Sequence, residues 1–91
     1  MFYSICYDIS DDRRRLQIVK VLKDFGERVQ FSVFEANMEP DQLERLKKRV
    51  DKILDPRDDS LRIYPLCQAC ASRITVRGQG KVTQDPDVIV I

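Results

Sequence analysis

An α+β sandwich with the element order βαββαβ is the fold this sequence predicts, and three observations carry that reading. The chain opens on a β-rich run, "FYSICYDI" at residues 2–9. Two stretches, 16–25 and 43–54, repeat apolar residues at helical spacing. Each stretch lies between runs of alternating or β-branched residues, and helices inserted between strands of one small sheet give that architecture.

The first run holds Phe2, Tyr3, Ile5, Cys6, Tyr7 and Ile9, which suits a central strand covered on both faces. Ser10 offers an N-cap, with Asp11 and Asp12 in the first helical turn, where acids are favoured. Leu16, Val19 and Leu22, with Ile18, Val21 and Phe25, then form one apolar stripe, and Gly26 supplies a stop. "RVQFSVFEANM", 28–38, alternates as one bent strand or as two short ones meeting near Ser32, with Phe34 on the polar-lined face beside Gln30 and Ser32. Pro40 starts a second helix whose stripe is Leu43, Leu46, Val50, Ile53 and Leu54. "DPRDD", 55–59, reads as a turn. "SLRIYPL" and "SRITVRG" read as strands around a bend at "CQAC". From residue 79 a connector leads to "VIVI", apolar at every position, which reads as a strand adding to a sheet edge, plausibly that of a second subunit. The expected division is a folded domain over 1–78 and a connector with a C-terminal strand over 79–91.

Ninety-one residues fit one small domain, in which pairing with a second copy adds burial. Sixteen Lys and Arg against 15 Asp and Glu leave the chain close to neutral, so nucleic-acid binding has to rest on where charges sit. "MFYSICYD" has no basic n-region and no long apolar stretch, and a soluble cytoplasmic protein is expected. Three cysteines argue against a secreted disulfide scaffold, and the absence of histidine removes the commonest general base and zinc ligand.

The chemistry gathers in "YDISDDRRR", 7–15. Asp8 ends a β-run that aspartate does not favour, on the face of Phe2, Ser4 and Cys6, and emerges beside a helix start. It either accepts bonds from the following turn or ligates a divalent metal. Mg²⁺ needs only one or two carboxylates with water and phosphate, so two Asp8 side chains across a two-fold dimer would suffice. Arg13, Arg14 and Arg15 oppose the helix macrodipole, whereas phosphate is attracted to that same end and guanidinium groups grip it bidentately. Arg28 and Arg77, with Arg73 and Lys81, either charge a sheet edge or contact a nucleic-acid backbone. Phe34 reads as a core or dimer-contact residue ahead of a base-stacking platform. Cys67 and Cys70, the "CQAC" pair, read as buried or half-buried structural cysteines at a hairpin bend; redox and zinc roles rank below that. Cys6 reads as a small core hydrophobe.

Taken together, "YDISDDRRR", "FGERVQFSVFE" and "LRIYPLCQAC" closely resemble the CRISPR-associated Cas-two family over essentially the whole chain. That resemblance implies a ferredoxin-like fold, a homodimer and a part in spacer acquisition, in which the dimer bridges two dimers of the Cas-one integrase. It also implies Mg²⁺-dependent endonuclease activity on single-stranded RNA or double-stranded DNA. The metal aspartate of the family corresponds to Asp8, next to Tyr7; its helix arginine to Arg15, its strand arginine to Arg28, and the phenylalanine of S-V-F to Phe34. Gln17 stands where some members carry a further basic residue, with Arg13 and Arg14 as nearby cations. Glu35 is a lesser candidate for the metal. A non-catalytic DNA-binding adaptor and a toxin-like RNA interferase are the competing functions.

Overall fold

The computed structural model describes residues 1–80. Its elements are β1 (Phe2–Asp8), α1 (Asp12–Lys23), β2 (Glu27–Gln30), β3 (Val33–Asn37), α2 (Pro40–Asp51), β4 (Ser60–Leu66) and α3 (Gln68–Ala71). One antiparallel sheet runs β2-β3-β1-β4, which places β1 in the interior. The order and the two helical crossovers are the expected ferredoxin-like arrangement. The expected strand at "VIVI", its pairing with a second subunit, and Lys81 lie outside the described residues.

Alternation along each strand decides which face meets the helices. Tyr3, Ile5 and Tyr7 of β1 and Phe34 and Ala36 of β3 share one buried cluster with Ile18, Val19, Val21 and Leu22 of α1 and Leu46 and Val50 of α2. Leu61 and Ile63 of β4 pack against its edge. The opposite face of β1 is only partly covered among the described residues: Phe2 is buried, Ser4 and Cys6 are half-buried and Asp8 is exposed. Coverage on both faces was therefore too strong an expectation, because both long helices lie on one side. Leu16, expected in the apolar stripe, is 62% exposed.

Helix α1 is capped one residue later than expected. Asp11, in extended conformation, accepts the Arg14 amide at 2.9 Å, and Ser10 stays outside the helix. The stripe of α2 is confirmed: Pro40 opens the helix, and the Glu39 amide donates to Gln42 Oε1 at 2.7 Å. Between the helices, "RVQFSVFEANM" resolves into the hairpin β2–β3, turning at Phe31–Ser32, with a register shift between Arg28 and Gln30. That turn resets the alternation, so Phe34 falls on the helix face, fully buried, and not with Gln30 and Ser32.

Beyond β4 the chain departs from expectation. "CQAC" is a helical turn, with Cys67 as its N-cap and the Ala71 amide donating to the Cys67 carbonyl at 2.9 Å. The turn carries the chain away from the β4 edge, and "SRITVRG" forms no strand. Its end instead runs beside the first hairpin, where Val29, Gln30 and Val33 line one cavity with Ile74, Val76 and Arg77. Cys67 and Cys70 are both exposed, against the expectation of burial, and Cys6 is half-buried.

Placement at a helical turn makes the two exposed thiols unequal. The Cys70 amide points at Cys67 Sγ, 3.4 Å away, and this holds the Cys67 thiol below the ordinary value. Its hydrogen bond with Cys67 raises the Cys70 thiol. A lowered value means more thiolate at a given pH. Cys67 is therefore expected to alkylate with iodoacetamide ahead of Cys70 near neutral pH, with Cys70 catching up as pH rises. Peptide mapping by mass spectrometry across a pH series checks this, and equal labelling at every pH would contradict it.

Candidate active site

The sheet end at which β1 finishes gathers four pieces of chain: Asp8, the first turn of α1, the hairpin tip Phe31–Ser32, and the 55–59 loop that leads into β4. Backbone bonds fix the gathering. The Tyr7 amide donates to the Ser32 carbonyl at 3.1 Å, and Asp8 pairs in register with Ser60. Asp8 itself is exposed at the strand end. Among the described residues, no group of three or more His, Cys, Asp or Glu could hold a metal ion. A metal at Asp8 would therefore need donors beyond the described residues of one chain, such as water, substrate or a second copy.

The three arginines of α1 have different situations. Arg13 is exposed and makes no hydrogen bond or ion pair among the described residues. Arg15 donates to the Ile9 carbonyl at 3.1 Å, just past Asp8, and pairs with Asp12 in the turn below. Its guanidinium is thereby held beside the end of β1. Arg14 points elsewhere: Nε and Nη2 donate to the two carboxylate oxygens of Asp59, at 2.7 and 3.2 Å. The Asp59 side chain is wholly buried, and it also accepts the Asp55 amide at 3.0 Å. The bond from Arg14 first, and the Asp55 backbone second, hold the Asp59 carboxyl below its ordinary range; Arg14 is raised in turn, mainly by Asp59. The pair fastens the start of α1 to the loop before β4, so this guanidinium is already occupied.

Tyr7 is buried and lies against Phe34, with ring centroids 6.3 Å apart. Its hydroxyl donates to the Phe31 carbonyl at 3.0 Å, and Arg28 Nε donates to the same oxygen at 3.0 Å. Both residues therefore hold the hairpin tip in place. Phe34, fully buried, presents no face to a base. Arg77 is exposed and lines the cavity beside the first hairpin with Val29, Gln30 and Val33. The structure thus brings Asp8, Arg13, Arg15, Tyr7 and Arg28 to one end of the sheet, and sets Arg77 on the cavity beside the first hairpin.

Sequence reasoning passed over Arg62. It pairs in register with Cys6 and lies on the partly covered face, one strand over and two residues from the Asp8–Ser60 pair. Its Nη1 donates to Tyr64 Oη at 3.3 Å, and that bond raises it. The signal was present: in "SLRIYPL", Arg62 alternates with Leu61 and Ile63, which both turn to the core.

The chain is similar to known proteins in both sequence and fold. The model of the family described as CRISPR associated protein Cas2 matches residues 1–74. A CRISPR-associated endoribonuclease Cas2 of Chloroflexus aurantiacus is 48% identical over 86 residues, covering 94% of this chain and 92% of that protein. The crystal structure of Streptococcus pyogenes Cas2 superposes with a TM-score of 0.77 at 31% identity, over 86% of this chain and 100% of the other. A chain in a partial Cas6-RT-Cas1–Cas2 complex gives a TM-score of 0.72 at 27% identity, over 82% of this chain and 88% of that one.

Proposed function

Because the chain belongs to the family of CRISPR associated protein Cas2, we propose that it is a dimeric, Mg²⁺-dependent endonuclease of spacer acquisition. In this reading it acts on single-stranded RNA or double-stranded DNA and bridges dimers of the Cas1 integrase. The observation that supports cleavage is the exposed Asp8 carboxylate at the end of the interior strand, beside the Arg15 guanidinium on the Ile9 carbonyl. The Chloroflexus relative bears the name endoribonuclease, and the Cas1–Cas2 complex supports the integrase as partner. No helix among the described residues is long and apolar enough to cross a membrane.

Asp8 and the Asp8 of a second copy would hold the metal. When bound, Mg²⁺ supplies charge on a phosphate oxygen and acidifies water. The chain's own residues do the rest. Arg13, exposed and without a side-chain partner among the described residues, meets an incoming phosphate first; Arg15, anchored at Ile9, fixes a second oxygen next to Asp8. Tyr7 and Arg28 are positioning residues, since both act through the Phe31 carbonyl. Arg14 works as a latch through Asp59, which moves it from the expected phosphate contacts to the framework. Arg77 is a nucleic-acid backbone contact on the cavity beside the first hairpin.

Purified protein incubated with end-labelled single-stranded RNA and with duplex DNA, with Mg²⁺ or with EDTA, tests the reading. Internal cleavage of one substrate in Mg²⁺, abolished by EDTA and restored by excess Mg²⁺, is expected. Cleavage undiminished in EDTA, or none of either substrate in Mg²⁺, would overturn it.

A further inference from the structure

We propose that Phe31 is a stacking platform for an unpaired base of the nucleic-acid strand that lies at Asp8. The inference rests on the nucleic-acid reading above and adds to it how a strand is gripped apart from its phosphates.

A phenylalanine at the tip of a tight hairpin is out of place, since polar residues and glycine serve such turns better. Here its side chain is 76% exposed, the most exposed of the large apolar side chains among the described residues. The residue is nonetheless held firmly, because Arg28 and Tyr7 both donate to its carbonyl. The Arg28 guanidinium lies over the ring, 5.2 Å from its centroid, and is tethered there by those bonds. A ring held by its own backbone, with a cation on it and most of its surface bare, is preorganised to receive a flat partner.

Charge and position select the class of partner. The tip neighbours Tyr7 and Asp8 through the Ser32 carbonyl, at the sheet end that also carries Arg13 and Arg15. Aromatic rings beside arginines that track a phosphate backbone are the usual means of holding single strands, because every base has a stackable face. Phe34 is sealed in the core, as its reading as a core residue anticipated. Phe31 has the accessibility that Phe34 lacks.

The chain contains no tryptophan, so Phe31→Trp installs a lone indole reporter at the tip. Titration of this variant with single-stranded oligothymidylate is expected to quench its fluorescence, while a strand of abasic residues binds without quenching. Phe31→Ala is expected to bind oligothymidylate about tenfold more weakly, to bind the abasic strand as before, and to keep its salt dependence. Phe31→Tyr should restore the affinity. Binding without quenching, or equal affinity of Phe31→Ala and the native chain, overturns the platform and leaves the nucleic-acid reading standing. A blue shift that grows with protein concentration alone would mean that a second copy covers the ring, which also overturns it. Failure of the native chain to bind oligothymidylate overturns the platform, and failure to bind single-stranded RNA and duplex DNA as well would refute the underlying reading with it.

Discussion

Asp8→Ala is expected to lower Mg²⁺-dependent cleavage by about 100-fold or more, the scale on which loss of a metal ligand or a charge stabiliser acts. The same change should leave folding nearly untouched. Asp8 is exposed at the end of an interior strand, its backbone is registered against Ser60 of β4, and its side chain is not part of the buried cluster. A surface substitution of this kind shifts Tm by less than about 4 °C in a domain of this size. Nucleic-acid affinity should also survive, because Arg13 and Arg15 remain and removing a carboxylate lessens repulsion of phosphate. Cleavage assays, thermal melts and a binding titration on one preparation check the three parts together. Wild-type cleavage by Asp8→Ala protein would remove the carboxylate from the chemistry. Lost cleavage with spacer acquisition intact in cells would instead make hydrolysis incidental, and would favour the adaptor function.

Period and punctuation made the scaffold legible from the sequence. The stripe of α2, opened by Pro40 and carried by Leu43, Leu46 and Val50, needs no knowledge of tertiary contacts. Asp8 was legible for a related reason: aspartate at the end of a buried, β-favouring run is a local conflict, and such conflicts concentrate at sites. What escaped depends on contacts far apart in the chain. Arg14 and Arg15 are neighbours of the same type, yet one meets Asp59, 45 residues away, and the other meets Ile9. Alternation continued through Ser32 sets Phe34 beside Gln30 and Ser32, whereas the hairpin turn at Phe31–Ser32 restarts the alternation and buries Phe34. At "CQAC", two strand-like flanks suggested a hairpin, whereas the cap formed by Cys67 turns the chain into a helical turn. Arg62 was legible by its alternation with Leu61 and Ile63, but its place opposite Cys6 depends on antiparallel pairing between distant strands.

Gly26→Ala is expected to cause the largest loss of stability from a single methyl group. Replacing glycine by alanine at an ordinary backbone position usually stabilises by roughly 0.4–1 kcal/mol, because the unfolded chain loses freedom. Gly26 does not have the left-handed conformation that would forbid a side chain, since only Gly78 and Gly80 have positive φ among the described residues. Backbone conformation alone would therefore predict a gain. Space reverses the sign. A Cβ at Gly26 would lie 2.2 Å from the Glu35 carbonyl oxygen and 2.7 Å from the Ala36 Cβ. Neither atom is the movable end of a long side chain: one belongs to the backbone of β3, and the other to a buried residue beside it. Relief requires that the link between α1 and β2 be pushed off β3. The Gly26 amide bond to the Leu22 carbonyl, which closes the end of α1, lies at that same place. Overpacking of this kind costs about 1–3 kcal/mol, and here it adds to strain on a helix end. For a domain holding roughly 5–15 kcal/mol in total, that moves Tm down by on the order of 10 °C. A melting curve of Gly26→Ala beside the native chain checks the direction, and a raised Tm would show that β3 gives way freely. The hairpin tip is carried on β2 and β3, so partial unfolding at this joint should reach Phe31 and Arg28 before it reaches Asp8, whose strand is held on its other side by β4.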